Sequence, residues 1–581
     1  MKVISYTTTT SDYPYTLYLE TTLKSLRKYN DFKVVVFVLD DGIDRLKYIP
    51  EKYSNVELVD FSQCKTSSFD ISKIPLNVSD IFNFDTDKFV SILVGPECLD
   101  YMYKNYDYDV IFRFDTDVIF TDKVNFEDFY SSGKSFGGCK ELFWHQWTKQ
   151  TFGYSCLHKD VYNVGLSMFR KDKQIPNMYQ RMLEFFESVD YKINTFEQDA
   201  VNSMYTDCYD LNQQMCLAVN RLDNKVSAVH FSSPELKPLS LNLKDEYTYL
   251  IKYYQEWVKT TYPDLWNSKK CFYSSVDGDK FIDLFIVTVT SYKKHNVLPV
   301  DWIVICKDVN QMYDVRSKTQ FLSDSVVNVI YTTMPTVPVK IDYCKYNTFK
   351  WTSDYASKIF CDRIYFVDVW KHKYDLMVCV DLDVIFVNTV VDVLDDFLHS
   401  NCAVGGQCEP FLIRYGFEKC IGKTYPGSPY NFEKYVNFGF GMINTKLMID
   451  ENFKKFVEIS KNKEDFFNTQ EQAYFACQYQ DSIKTYPGLQ ALVWSRINSE
   501  HFKQPYNFRL IHFAPSRFLF DEIIKLGYDY NYANIILFYD KYVEIALQSK
   551  ISKEFRNVLL HNSKRKFDSF IALKMKLELK Y

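Results

Sequence analysis

At 581 residues and 47% hydrophobic content the chain can fill two or three separate cores, which places it among ordinary globular proteins. Its formal charge of -5 is spread without long basic or acidic blocks, so the electrostatic footprint of a nucleic-acid binder is excluded. Fifteen cysteines, an odd number with no Cys-x-x-Cys pair, argue against a disulfide framework and a structural zinc site, and fit a reducing, cytoplasmic compartment.

Met1 runs directly into the apolar stretch Lys2 to Tyr6, without the pattern of a secretory signal. No run of about 18 apolar residues occurs anywhere, so no membrane span is expected. Val3 to Tyr6 reads as a strand, Leu19 to Leu26 as an amphipathic helix, and Val34 to Leu39 as a second strand ending in Asp40-Asp41-Gly42. That is a βαβ unit. Next come the strand Val110 to Phe114 with Asp115-Thr116-Asp117, the pair Gly137-Gly138 with Glu141, Tyr162-Asn163-Val164-Gly165, Glu197-Gln198-Asp199, and Val229-His230-Phe231.

A helical pattern at Tyr247 to Val258 precedes a polar stretch from Thr260 to Lys280, read as a boundary, and Leu284 to Val289 reads as the opening strand of the second half. The same landmarks then recur in the same order. Leu376 to Val380 runs into Asp381-Leu382-Asp383, followed by Gly405-Gly406 with Glu409, Asn437-Phe438-Gly439, Glu471-Gln472-Ala473 and Ile511-His512-Phe513. The interval from the Asn-x-Gly asparagine to the Glu-Gln glutamate is 34 residues in both halves. Five landmarks in one order imply an internal duplication of an α/β domain, with expected limits 1–265, 280–540 and a basic helical tail at 541–581. The segment Ser291 to Pro299 reads as too short for a full first helix in the second half.

Both Asp-x-Asp pairs lie at the C-terminal end of an apolar strand, where open α/β sheets bind ligands. Alternation along an extended chain would turn Asp115 and Asp117 to one side, where two carboxylates can hold a hard divalent cation whose other positions take diphosphate oxygens. His230, at a strand end and repeated as His512, is a third candidate ligand, and mixed imidazole and carboxylate ligation favours Mn²⁺ over Mg²⁺. Such an ion neutralises the charge that develops when a sugar leaves a nucleotide diphosphate. Lys237 stands seven residues later, within reach of a phosphate oxygen.

These residues resemble the retaining glycosyltransferases of the glycogenin and bacterial lipopolysaccharide galactosyltransferase family. The matching segments span nearly the whole first half: Tyr6 to Asp12, Val38 to Ile43, Phe114 to Asp117, Tyr162 to Gly165, Glu197 to Asn202, and His230-Phe231 with Lys237-Pro238. The resemblance implies a Rossmann-like GT-A fold in two tandem copies. It implies Mn²⁺ (or Mg²⁺) on Asp115, Asp117 and His230, with Asp381, Asp383 and His512 as the second set. Thr8 and Asp12 would face the nucleoside, Lys237 the diphosphate, Glu141 and Asn163 the donor sugar, and Gln198 its reacting face. The donor would be a nucleotide diphosphate sugar, UDP-sugar favoured, and the acceptor a glycan or lipid-linked glycan. The family's closing His-Phe-x-Gly-x-x-Lys-Pro-Trp departs here at Ser233 and Leu239, with one residue inserted before Lys237; after His512 only Arg517 supplies a nearby cation.

Two other classes fit less of the pattern. A sugar nucleotidyltransferase needs a glycine-rich phosphate loop after the first strand, where this chain has Thr7 to Thr10. A glycan-binding scaffold with relic domains would keep the fold without the ligands. Phe143 to Trp147 offers aromatic rings to an acceptor sugar, and the basic tail, with apolar residues from Phe567 to Leu579, offers a peripheral contact to an anionic membrane.

Overall fold

The run Lys33-Val-Val-Val-Phe-Val38 is β-branched or aromatic at every position after the lysine, and all five of those residues are buried. Such a run suits a strand covered on both faces, and the computed structural model places it inside a parallel sheet. The residues described are 1–64, 94–141, 160–189, 197–212, 214–218, 220, 226–233, 236–337, 354–408, 436–462, 471–492, 508–513 and 541–560. The chain divides into two compact units: Met1–Pro238 with Lys244–Thr261, and Leu239–Leu243 with Tyr262–Tyr581.

The first unit contains β1 (Val3–Thr9), β2 (Lys33–Val38), β3 (Val56–Asp60), β4 (Val110–Phe114), β5 (Val118–Phe120), β6 (Phe136–Lys140), β7 (Tyr162–Arg170), β8 (Cys208–Asp210), β9 (Met215–Leu217) and β10 (Ala228–His230). Seven strands form one sheet in the order β3-β2-β1-β4-β7-β6-β8, and the other three form β5-β10-β9. Strands β3, β2, β1 and β4 run parallel, and β7 is antiparallel to both β4 and β6. Period-two alternation splits the core. Val34, Val36 and Val38 pack with Leu19, Leu23 and Leu26 of the helix Tyr15–Arg27, while Val35 and Phe37 pack with Leu99 and Met102 of the helix Gly95–Asn105 on the other face. Strand order turns from outward on one side to outward on the other between β1 and β4, the position at which open α/β sheets bind ligands beyond the C-terminal strand ends.

The second unit repeats this plan with β11 (Lys270–Val276), β12 (Val300–Cys306), β13 (Val327–Thr333), β14 (Leu376–Val380), β15 (Val384–Phe386), β16 (Val404–Cys408), β17 (Val436–Asn444), β18 (Ile483–Thr485), β19 (Gln490–Leu492) and β20 (Leu510–His512). Its sheets read β13-β12-β11-β14-β17-β16-β18 and β15-β20-β19, the same order as in the first unit. The α/β class expected from the sequence holds.

One expected element is of the wrong type. Leu284 to Val289 is not the opening strand; it lies inside the 17-residue helix Asp279–His295, and the opening strand is β11, within the stretch read as a boundary. Leu284, Phe285, Ile286, Val287 and Val289 are all buried, so this stretch of the helix is covered on every side. A short apolar run of that kind carries no period that separates strand from helix. The first helix of the second unit is therefore full length.

Among the described residues no helix is long and apolar enough to cross a membrane. The described part of the tail, 541–560, is largely helical, and Tyr542, Ile545, Ala546 and Leu559 are buried, with the Tyr542 ring against Phe513. Phe143 to Trp147 and Phe567 to Leu579 lie outside the described residues.

Candidate functional site

Strand β4 ends at Phe114, and Asp115-Thr116-Asp117 forms a turn into β5, which belongs to the other sheet. The two carboxylates therefore converge through a turn, not through the alternation of one extended strand. Four contacts pin that turn. Asp115 N donates to Gly165 O at 2.8 Å, Phe231 N donates to Asp117 O at 3.1 Å, and Thr22 Oγ1 lies 2.5 Å from Thr116 O and 2.7 Å from Val118 O.

His230 arrives on β10, paired with Val118, one residue beyond Asp117. Its Nε2 lies 3.4 Å from Asp115 Oδ2 and 3.4 Å from Asp117 Oδ1. The opposite ring nitrogen, Nδ1, is 3.2 Å from Asn163 Oδ1. That oxygen also accepts from Gly165 N at 2.9 Å, while Asn163 Nδ2 donates to Glu141 Oε1 at 2.9 Å and to Gln198 Oε1 at 3.2 Å, which fixes the amide's orientation. The amide oxygen facing Nδ1 accepts a proton held there, which leaves Nε2, the nitrogen turned to the two carboxylates, as the one a cation between them would meet. Two carboxylates and one imidazole, each offering an atom within 4.8 Å of the others, suit a divalent cation of borderline hardness. Gly165 keeps the space clear: a Cβ there would meet Asp115 Oδ2 at 2.3 Å and His230 Cε1 at 2.6 Å. The Asn-x-Gly motif thus orients the histidine with its first residue and makes room for the ligands with its third.

Around this group the electrostatics differ by residue. Burial opposes ionisation of Asp117, but Lys237, in contact with Asp117 Oδ2, and His230 outweigh it and hold the carboxyl well below its usual range. Burial pushes Glu141 up to about 6, against the pull of its bonds to Asn163 and Gln198. Asp115, with a side chain 37% exposed, is the solvent-facing side of the group; Asp117 and His230, at 6% and 4%, are its floor.

Asn163, Glu141, Gln198, Lys237 and the three ligand candidates are therefore brought together. The two nucleoside candidates sit at the end of β1: Thr8 is half-buried and paired with Phe37, and Asp12 lies on the surface with its carboxylate 2.8 Å from Arg45.

In the second unit His512 Nε2 lies 3.8 Å from Asp381 Oδ2 and 3.2 Å from Asp383 Oδ1. Asn437 Oδ1 accepts from Gly439 N at 2.8 Å, and a Cβ on Gly439 would meet His512 Cε1 at 2.3 Å. Thr288 of the helix Asp279–His295 donates to Leu382 O and Val384 O, each at 2.9 Å, as Thr22 does in the first unit. Glu409 and Arg517 lie outside the described residues.

Sequence reasoning missed six contributors. Thr22 and Ser25, and their counterparts Thr288 and Ser291, fasten the first helix to the aspartate turn and to the start of the small sheet; Ser25 Oγ accepts from Phe120 N and Ser291 Oγ from Phe386 N. A signal existed, because Thr-x-x-Ser stands 94 residues before the middle of each Asp-x-Asp, but reading Leu284 to Val289 as a strand hid it. The other two, Arg113 and Arg363, occupy different elements in the two units and leave no shared spacing to find.

No family model and no curated protein matches the chain. Solved structures do. The galactosyltransferase LgtC in complex with donor and acceptor sugar analogs is 13% identical, with a TM-score of 0.35, and covers 49% of this chain and 99% of its own. Mouse xyloside xylosyltransferase 1, apo form, is 10% identical with a TM-score of 0.33, covering 43% of this chain and 98% of its own. The apo structure of the WbbM bifunctional glycosyltransferase is 11% identical with a TM-score of 0.35, over 96% of this chain and 99% of its own. At such scores the chemistry has to be read from the site itself.

Proposed function

We propose that this chain is a metal-dependent glycosyltransferase that moves a hexose from a nucleotide diphosphate sugar, UDP-sugar favoured, to a glycan or lipid-linked acceptor. The observation that carries the reading is the convergence of Asp115, Asp117 and His230 Nε2 beyond the C-terminal ends of β1 and β4, with Gly165 leaving no side chain in the way. A divalent ion, Mn²⁺ in preference to Mg²⁺, would supply charge neutralisation for the departing diphosphate when held there. Lys237 touches Asp117 Oδ2, and we assign it a second positive charge toward the same diphosphate oxygens. Asn163 holds the imidazole in the ligating tautomer and joins it to Glu141 and Gln198, the residues assigned to the sugar. On the family resemblance we favour retention of anomeric configuration; no side chain is assigned as a covalent nucleophile, and the leaving phosphate takes the acceptor's proton.

The same ligand types converge in the second unit, so we assign Asp381, Asp383 and His512 a cation as well, and read the chain as carrying two such sites, one in each unit. The test is hydrolysis of UDP- and GDP-sugars with Mn²⁺ by the wild-type chain and by Asp115→Asn and Asp381→Asn separately. Metal-dependent turnover in the Asp381→Asn chain that adding Asp115→Asn reduces by about 100-fold or more supports the assignment, since an ion that generates the main electrostatic stabilisation is lost with its ligand. Unchanged turnover on adding Asp115→Asn to Asp381→Asn overturns it.

A further inference from the structure

Arg113 lies on β4, two residues before Asp115, with its side chain only 8% exposed. Its Nη2 donates to Glu197 Oε1 at 2.5 Å and stands 3.8 Å from Asp115 Oδ1. Gly95, at the start of the helix Gly95–Asn105, makes room for this pair: a Cβ would meet Glu197 Oε2 at 2.2 Å and Arg113 Nη1 at 2.3 Å. In the second unit the equivalent strand position is Cys379, and the guanidinium comes from elsewhere. Arg363, on the helix Asp354–Trp370 and 7% exposed, places Nη2 3.0 Å from Asp381 Oδ1. Counting the same 18 residues back from Asp115 reaches Glu97, so the first unit has a buried acid where the second has its arginine.

Two different elements thus deliver a buried guanidinium to one atom, Oδ1 of the first aspartate, and in both units Oδ2 is the oxygen turned toward the histidine Nε2. A positive group beside a cation site repels the cation, so its recurrence there points to orientation of the carboxylate, not to added attraction. We infer that Arg113 is a positioning residue for Asp115, taking in the first unit the place that Arg363 takes in the second. It holds Oδ1 away so that Oδ2 faces His230, and through Glu197 it ties that carboxylate to the N-terminus of the helix Glu197–Met204, which carries Gln198. The inference rests on the cation reading of Asp115, Asp117 and His230.

The experiment uses the full chain with Asp381→Asn and Asp383→Asn, so that only the first unit reports, and follows Mn²⁺ binding by the paramagnetic resonance of the free ion. Arg113→Lys keeps a positive charge for Glu197 but loses the planar fork. It is expected to keep the thermal midpoint of the background while weakening Mn²⁺ about 10- to 100-fold, the usual cost of losing a group that orients a ligand. Glu197→Gln, which leaves the guanidinium beside Asp115, is expected to bind Mn²⁺ within about threefold of the background on the same scale. Equal Mn²⁺ affinity in Arg113→Lys and the background overturns the inference, as does a loss in Glu197→Gln as large as that in Arg113→Lys, which would make the pair purely structural. If the background itself binds no Mn²⁺, the cation reading fails and the inference falls with it.

Discussion

Glycine 165 shows how tightly the chemistry is written at single positions. Its missing side chain leaves the space that Asp115 Oδ2 and His230 Cε1 approach, so Gly165→Ala must push one ligand aside. The expected result is a loss of Mn²⁺ affinity of about 10- to 100-fold with the chain still folded, read by calorimetric titration of the first site. Glu141 gives a pH-dependent prediction. Burial raises its pKa from 4.5 to about 6, so its protonated form favours the folded state; that contribution is complete below the unfolded value and is lost as pH rises through the folded one. Removing the charge with Glu141→Gln should therefore stabilise the metal-free chain, relative to wild type, by about 2 kcal/mol more near pH 8 than near pH 4, as 1.36 kcal/mol per unit requires. Denaturant unfolding in EDTA at the two pH values measures this; the same difference at both would refute it.

Elements set the frame in which those side chains meet. The aspartate turn hangs between two sheets, and the first helix holds it from below through Thr22 in one unit and Thr288 in the other. Thr288→Val keeps the shape and removes the hydroxyl, leaving two buried carbonyls with one fewer donor. A loss of about 1–3 kcal/mol is expected in the unfolding of the second unit, with Mn²⁺ at Asp381 and Asp383 weakened in the same variant. Unchanged stability would mean that the backbone alone shapes the turn. Elements were also where the sequence was least legible. Val34 to Leu39 and Leu284 to Val289 are both short, apolar and β-branched, yet one is a central strand and the other lies in a buried helix. Only length and the company each keeps in the core separate them.

At the scale of the whole molecule, the second unit repeats the strand order of the first, and each ends its fourth strand in an aspartate pair met by a histidine. Calorimetric titration should find two Mn²⁺ per chain, one after Asp115→Asn with Asp117→Asn, one after Asp381→Asn with Asp383→Asn, and none when all four change. Saturation at about 100 times the dissociation constant should stabilise each unit by about 2.7 kcal/mol, visible as a thermal shift that EDTA abolishes. The α/β class, the repeated order of landmarks and the residue types of the ligand group were all present in the linear chain, because strand-end carboxylates, paired glycines and a fixed 34-residue interval are properties of sequence itself. What the chain could not state was which atoms meet. The bend at Thr116, the tautomer that Asn163 imposes on His230, and the arrival of Arg113 from a strand but Arg363 from a helix at the same carboxylate oxygen depend on elements far apart in sequence being packed to within a few ångströms, and that packing exists only once the sheets have formed.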